Sequence, residues 1–124
     1  MNDRITDQER KTLSVLAFLF YRMGMEERAK RVYAALAELS EPGSSDYRFA
    51  MAGLAAVAVE QSDGDEALAG VKEAMKGGPL SSRDVTLHLI KGQALWLQGR
   101  KEEAQAARDE YLYLSGQNAQ EAKE

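Results

Sequence analysis

The sequence predicts an all-α protein made of three helical hairpins, and two observations support this prediction. First, Ala, Leu, Glu, Lys and Arg are abundant and the 124 residues include only two prolines, a composition that favours helices. Second, the sequence contains three similar short motifs, which we call phrases. Each phrase follows one apolar segment with helical spacing and starts the next such segment. These phrases are Gly-Met-Glu-Glu-Arg-Ala at 24–29, Asp-Gly-Asp-Glu-Ala at 63–67 and Gly-Arg-Lys-Glu-Glu-Ala at 99–104.

The spacing of the three phrases indicates a repeat. Their alanines, Ala29, Ala67 and Ala104, lie 38 and 37 residues apart (29 to 67 and 67 to 104). A period in this range is typical of helical repeat arrays, and the nearest familiar unit is the 34-residue tetratricopeptide repeat (TPR). The three or four additional residues of each unit are expected in the loops between hairpins.

Capping and turn residues mark where the helices begin and end. Thr6 and Glu9 form a capping box, in which each side chain accepts a hydrogen bond from the other residue's backbone N–H. Gly24 is suited to end the first helix in a left-handed conformation. Asp63 and Glu66 form a similar pair at the start of the fourth helix. The helices are predicted at about 6–23, 26–39, 46–61, 63–76, 83–98 and 101–115.

These helices pair into hairpins within one domain, predicted to span 1–116. Proline and glycine interrupt the helical pattern at 41–45 and 77–82, so both segments are predicted to be loops. The predicted fold is a short right-handed solenoid of three stacked TPR-like hairpins. The polar tail 117–124 is predicted to be disordered, because it has no apolar stripe to bury. The hairpins are predicted at about 6–40, 46–76 and 83–115.

Small and large residues occur where close helix packing in a TPR requires them. Small residues let two helices approach, and large residues fill the space beside them. The third hairpin departs from this pattern, because His88, Lys91 and Arg108 stand where large apolar residues are usual. Terminal repeats are often atypical since one side faces water. The matching positions are Leu13, Leu16, Ala17, Phe20, Gly24, Ala29 and Tyr33; Met51, Leu54, Ala55, Ala58, Ala67, Val71, Ala74 and Pro79; and Gly92, Leu95, Gly99 and Ala104.

Apolar stripes at helical spacing run along the first two helices. A stripe of this kind usually faces the core. The stripes consist of Leu13, Leu16, Leu19, Phe20 and Met23 on the first helix, and of Ala29, Val32, Tyr33, Leu36 and Leu39 on the inner face of the second.

The first helices of the three hairpins also carry apolar residues on a second face, which would line a concave groove in a TPR stack. Helices that are apolar on two faces indicate that both are covered. Phe18, Phe49 and Trp96 are the expected partner anchors, because buried aromatic residues dominate interface energies, and Gly53 is expected to make room for the partner. The predicted groove residues are Val15, Phe18, Tyr21, Arg22, Phe49, Ala52, Gly53, Ala56, Val59, Leu89, Ile90, Gln93, Trp96 and Leu97, with Ser14 beside them.

Two occupants of this groove are compatible with the sequence. The first is an apolar or amphipathic segment of another polypeptide, bound as a helix or as an extended strand. The second is the protein itself, since helices five and six or a second copy in a homodimer could cover the same residues. The chaperone-tail mode, in which Lys and Asn side chains grip a C-terminal carboxylate, is not expected, because Phe18 and Arg22 stand in this region instead.

Composition argues against several other functions. The formal net charge is −4, which disfavours nucleic-acid binding. The chain has no cysteine and one histidine, His88, so we expect no metal, no cofactor and no enzymatic activity, and a partly buried structural role for His88. The phrase at 63–66 lacks the further ligands of a calcium loop, and 77–78 lacks the Gly-Lys-Ser/Thr of a phosphate loop.

Hydropathy predicts a cytoplasmic protein without membrane insertion. The first ten residues are polar and charged, unlike a signal peptide. The longest apolar stretch, 15–21, is far too short to cross a bilayer.

The stretches 16–33 and 93–99 through 111–114 carry a resemblance to a known family. Over roughly residues 10–115 the chain resembles the small TPR chaperones of bacterial type III secretion, which are acidic, cysteine-poor three-repeat proteins of similar length. The likeness to the YscY-type export component and to the translocator chaperones is one of pattern and length, without a unique motif. It implies a cytoplasmic chaperone that holds a secreted or export protein in its groove and keeps it from aggregating. The alternative is a general TPR scaffold joining folded proteins.

Overall fold

All regular secondary structure in the described part of the chain is helical. A computed structural model describes residues 6–78 and 84–123, and side chains as far as 116. Pro79 and Arg83, which take part in the predicted second loop and fifth helix, lie outside these ranges. The helices are α1 (Asp7–Arg22), α2 (Glu26–Glu38), α3 (Ser45–Glu60), α4 (Gly64–Met75), α5 (Val85–Leu97) and α6 (Lys101–Lys123).

Side-chain caps begin α1 and α4 where the sequence predicted them. The Thr6 hydroxyl accepts from the Glu9 N–H at 3.1 Å, and the Glu9 carboxylate accepts from the Thr6 N–H at 2.8 Å. Asp63 accepts from the N–H of Glu66 at 3.0 Å at the start of α4. Each bond satisfies a backbone donor that the first turn of a helix leaves unpaired. The predicted capping box and the Asp63 cap are therefore confirmed.

Helix α6 is longer than the sequence predicted. Its backbone continues to Lys123, so the predicted end near Ser115 is wrong. The residues beyond Gly116 include glutamine, alanine, glutamate and lysine and contain no proline. Such residues extend an existing helix at little cost, even without an apolar stripe.

The three hairpin turns share one backbone geometry. Gly24, Ser62 and Gly99 have φ values of 76°, 59° and 77°, in the left-handed region. In each turn the following residue donates its N–H to a carbonyl five positions back, the Schellman arrangement that ends a helix. These bonds are Met25 to Phe20 at 2.9 Å, Asp63 to Ala58 at 2.8 Å and Arg100 to Leu95 at 3.0 Å.

Substitutions at these turn positions are expected to shift stability in opposite directions. Gly24→Ala and Gly99→Ala should each lower the free energy of unfolding by about 1 kcal/mol, because an L-residue is strained at positive φ. The added Cβ would meet no other atom within 4 Å at either site, so the cost is conformational. Ser62→Gly should raise the free energy by less than about 1 kcal/mol, since relief of strain outweighs the added freedom of the unfolded chain. Urea unfolding followed by circular dichroism measures all three, and a destabilised Ser62→Gly protein would contradict this reasoning.

The helices pack as adjacent hairpins in two layers. Helix α3 contacts both α1 and α5, so the odd-numbered helices lie side by side. Helix α2 packs against α1 and α3, α4 packs against α3 and α5, and α6 packs against α5. Among the described residues, no Cα atom of α4 lies within 8 Å of one in α2 or α6. The side chains of α2 and α4 still meet, because the Lys30 ammonium lies 3.5 Å from the Glu66 carboxylate. This packing of neighbouring helices is consistent with a helical repeat.

Small residues form much of the core. Ala29, Ala67 and Ala104, the alanines of the three repeated phrases, are all buried. The largest fully buried side chains are Leu36 and Val57, together with Val71. Alanines between helices permit the close approach that the repeat pattern predicted. The predicted inner face of α2 is confirmed, since Ala29, Tyr33 and Leu36 are buried and Val32 and Leu39 are partly buried.

The predicted apolar stripe on α1 is largely uncovered. Only Ala17 is buried on this helix. Leu16, Leu19 and Met23 are 38%, 50% and 67% exposed, respectively. The stripe is therefore only partly covered, since Leu13 and Phe20 are partly buried and the other three side chains are exposed.

Candidate functional site

A concave surface on the odd-numbered helices brings many of the predicted groove residues together. We call this surface the central groove; its volume is about 670 Å³. Helices α1, α3 and α5 supply most of its wall, because they lie side by side. The groove residues that the sequence predicted and that line it are Phe18, Tyr21, Phe49, Ala52, Gly53, Ala56, Leu89, Ile90 and Gln93.

Two aromatic side chains give the groove its exposed apolar surface. Phe18 on α1 and Phe49 on α3 both line the groove, and both are exposed. The Phe49 ring lies 5.8 Å from the Tyr33 ring, centroid to centroid, at a tilt of 56°. The Tyr33 ring thus contacts one side of the Phe49 side chain, and the side chain remains partly exposed to solvent. Exposed aromatic rings within a concavity are suited to contact an apolar guest.

The floor of the groove differs from the prediction. A Cβ on Gly53 would lie 2.2 Å from the ring of Tyr33, so the missing side chain makes room for Tyr33 and not for a partner. Tyr33 is only 3% exposed. Burial raises the pKa of its hydroxyl to about 12, with a smaller contribution from Tyr21. Ile90 is also largely buried, packed against Val71 and other core residues, and therefore belongs mainly to the core.

A second concavity lies between α5 and α6. We call it the C-terminal hollow; its volume is about 520 Å³. Trp96 is exposed within it, and the ammonium of Lys101 lies 5.8 Å from the centre of the indole ring. The sequence assigned Val59, Trp96 and Leu97 to the groove, but they line this hollow instead. The lining consists of Val59, Leu89, Gly92, Gln93, Trp96, Leu97, Ala104, Gln105, Arg108, Tyr111 and Leu112.

The predicted site is thus divided between two neighbouring surfaces. Leu89 and Gln93 line both, so the central groove and the C-terminal hollow adjoin along α5. Val15 and Arg22 are exposed but line neither surface. Both residues belong to the part of α1 that faces away from the groove. The periodicity of apolar residues in the sequence could not distinguish this side of the helix from the side that lines the groove.

Arg48 is a residue of the groove wall that the sequence reasoning missed. Its guanidinium donates to the carbonyl oxygens of Ala74 at 2.9 Å and Gly78 at 2.8 Å, and to the Asp84 carboxylate at 2.9 Å. The Arg48 and Asp84 side chains are 17% and 19% exposed. One side chain of α3 therefore ties the end of α4 to the start of α5. No short-range motif signals these contacts, because the partners lie 26 to 36 residues further along the chain.

One titratable group near these surfaces is His88, the single histidine of the sequence. His88 is partly buried, as predicted, and burial is the main cause that lowers its pKa. Within the described residues, no three or more His, Asp and Glu side chains cluster so that they could hold a metal ion. The lining of the central groove combines apolar side chains such as Phe18 and Phe49 with the polar side chains of Ser44, Arg48 and Gln93.

No model of a known protein family matches the chain, and a search of curated proteins finds no match either. None of the described helices combines the length and the apolar character needed to cross a bilayer.

Proposed function

We propose that this chain is a TPR-like protein-binding module that holds an apolar or amphipathic segment of another polypeptide in its central groove. The observation that supports this proposal most directly is the exposure of Phe18 and Phe49 within one concavity on adjacent helices. Charged residues tend to be depleted in the buried centre of protein interfaces. The wall of the groove between these aromatic rings is formed by small and apolar residues of α3, including Ala52 and Ala56.

The size of the groove fits a peptide segment. A volume of about 670 Å³ is within the range of about 300–1,000 Å³ that is usual for ligand pockets. Burying a few hundred Å² of apolar surface would contribute several kcal/mol, at roughly 25 cal/mol per Å², before the costs of association. An extended strand or an amphipathic helix can both present side chains to such a surface.

The class of guest follows from the resemblance to the type III secretion chaperones. A cytoplasmic chaperone of this class holds a secreted or export protein before its export. The apolar groove supports this assignment, because an apolar segment that is exposed to water before export tends to aggregate unless another surface covers it. We further propose the right-handed TPR-like solenoid as the architecture, supported by the equal turns at Gly24, Ser62 and Gly99.

Phe49→Glu is expected to abolish capture of the guest while the helical circular dichroism is retained. The change places a carboxylate in the apolar wall, where an apolar guest would have to desolvate it. Ala34→Glu is the matched control, because Ala34 is exposed on α2 and lies in neither concavity. Affinity purification from the native cell, with mass spectrometric identification, compares both variants with the wild type.

A short secreted helical protein captured by the wild type and by Ala34→Glu, but lost with Phe49→Glu, would support the proposal. Equal capture by the folded Phe49→Glu variant would exclude the central groove as the binding surface. Capture of a metabolic enzyme would instead favour the scaffold alternative.

A further inference from the structure

Helix α1 exposes an apolar face that the central groove does not use. Val15, Leu16, Leu19 and Met23 are all exposed, and their spacing places them together along one side of the helix. A terminal repeat usually needs a polar outer face for solubility. This face therefore resembles an internal packing surface more than the end of an array.

The shared turns show which internal surface it resembles. Gly24 and Gly99 occupy the same position in their hairpins, so residues of α1 and α5 correspond at an offset of 75 positions (24 to 99). On this register Val15 corresponds to Ile90, and Leu19 corresponds to Ala94. Both α5 residues are buried in clusters with residues of α3 and α4. Helix α1 thus exposes the face with which α5 packs on the hairpin before it.

The C-terminal hollow is the counterpart of this face. Ser62 and Gly99 define an offset of 37 positions between the second and third hairpins (62 to 99). The surface of the second hairpin that receives α5 includes Ala55, Val71, Ala74 and Met75. At the offset of 37 these residues correspond, in the same order, to Gly92, Arg108, Tyr111 and Leu112, all of which line the hollow.

One pair of differences matches across the two ends. Val71 and Leu87 belong to the same apolar cluster where α5 packs on α4. Their equivalents at the free ends are Arg108 and Thr12, so an apolar pair is replaced by a cation and a hydroxyl. The position in the hollow that corresponds to Val71 is thus charged, and the position on α1 that corresponds to Leu87 is polar. If the two surfaces met, the Arg108 guanidinium would face the Thr12 hydroxyl and not an aliphatic side chain, which avoids an unfavourable contact.

We propose that the C-terminal hollow binds α1 of a second copy of this chain, so that copies associate head to tail. The contact would repeat the packing of α5 on α3 and α4 within one chain. Such a contact joins two different surfaces and leaves one free surface at each end of the assembly, so association is open-ended. The two surfaces leave out Phe18 and Phe49, although Leu89 and Gln93 line both the hollow and the central groove. Association between copies can therefore be tested without changing the two aromatic rings proposed to contact a guest.

Salt should strengthen this association. At the offset of 75 positions Arg22 corresponds to Leu97, and at the offset of 37 positions Lys101 corresponds to Gly64. Leu97 and Gly64 are neighbours within the chain, since a Cβ on Gly64 would lie 2.9 Å from the Leu97 Cβ. Two cations therefore meet at the edge of the contact, and each copy also carries a net charge of −4. Screening reduces both repulsions while the apolar contact remains.

Two blocking variants test the proposal with the chain itself. Leu19→Glu blocks the α1 face and Leu112→Glu blocks the hollow; both side chains are about half exposed, so the fold should be retained, as circular dichroism would show. Met23→Glu replaces Leu19→Glu if that variant does not fold. Analytical ultracentrifugation would be run at protein concentrations from about 1 to 300 μM, a range that detects weak association.

The wild type should form species that grow beyond a dimer with concentration, and more readily at high salt. Each blocked variant alone should remain a monomer, whereas an equal mixture of the two should form a dimer and nothing larger, because each has one intact surface. Ala34→Glu should behave as the wild type. A wild type that stays at 13.7 kDa over the whole range, or a mixture of the two variants that stays monomeric, would overturn the proposal.

Discussion

Gly53→Ala is expected to lower the free energy of unfolding by about 3 kcal/mol, although the change would stabilise most helices. At a solvent-exposed helix position, alanine is favoured over glycine by about 1 kcal/mol. Here the added Cβ would overlap the ring of Tyr33, whose nearest atom lies 2.2 Å away. Tyr33 is buried and cannot rotate freely, so α2 and α3 would have to separate, at a cost typical of overpacking.

A double-mutant cycle isolates the contact between these two residues. Tyr33→Ala removes the ring and should itself be destabilising, but Gly53→Ala added to it should cost little or become favourable. Gly116→Ala is the control, because Gly116 lies within α6 and its added Cβ would meet no atom within 4 Å. Urea unfolding provides the comparison. Gly53→Ala as stable as Gly116→Ala would show that the close approach is not maintained in solution.

Arg48→Met is expected to lower the free energy of unfolding by about 2–3 kcal/mol. The substitution keeps much of the apolar stem but removes the donors that reach two backbone carbonyls and the Asp84 carboxylate. Removing one partner of a buried ion pair is costly because the other charge stays in a poorly solvated place. The loss should be smaller than for a fully buried pair, since both side chains retain some exposure.

Arg100→Met is the matched control for Arg48→Met. The Arg100 guanidinium donates twice to the Glu103 carboxylate, at 2.8 Å for each bond. Both side chains are exposed, and exposed pairs contribute little to stability. Thermal and urea unfolding of the two variants should therefore differ clearly. Equal stabilities would mean that Arg48 does not hold α4 and α5 together. Arg48→Lys should lie between Arg48→Met and the wild type, because lysine keeps the charge but not the planar set of donors.

The features of the fold that could be predicted are those determined by residues close together in the sequence. Thr6, Glu9, Asp63 and Glu66 make their capping bonds within one turn of helix, so the helix starts could be read directly. Gly24 and Gly99 marked turns for the same reason. The end of α6 was missed because it was judged from the loss of an apolar stripe, and helix propensity alone carries the backbone to Lys123.

The candidate site was harder to predict, because periodicity gives the faces of a helix but not what covers them. Phe18 and Phe49 line the central groove and are exposed, and their role as partner anchors stays a prediction. Gly53 was misinterpreted, since the ring that fills its space comes from another helix, 20 residues earlier in the chain at Tyr33. Arg48 carried no signal at all, because a charged residue on an amphipathic helix is usually solvated.

The equal turns at Gly24, Ser62 and Gly99 have a consequence for how the length of this protein can change. Each turn has a residue with φ between 59° and 77° at the same position, so we expect that one complete unit can be added without disturbing its neighbours. A second copy of residues 62–98 inserted after Gln98 would bring its own left-handed turn residue and one more inner helix. Gene duplication of that segment would therefore lengthen the row of odd-numbered helices in discrete steps, while the exposed face of α1 stayed the same.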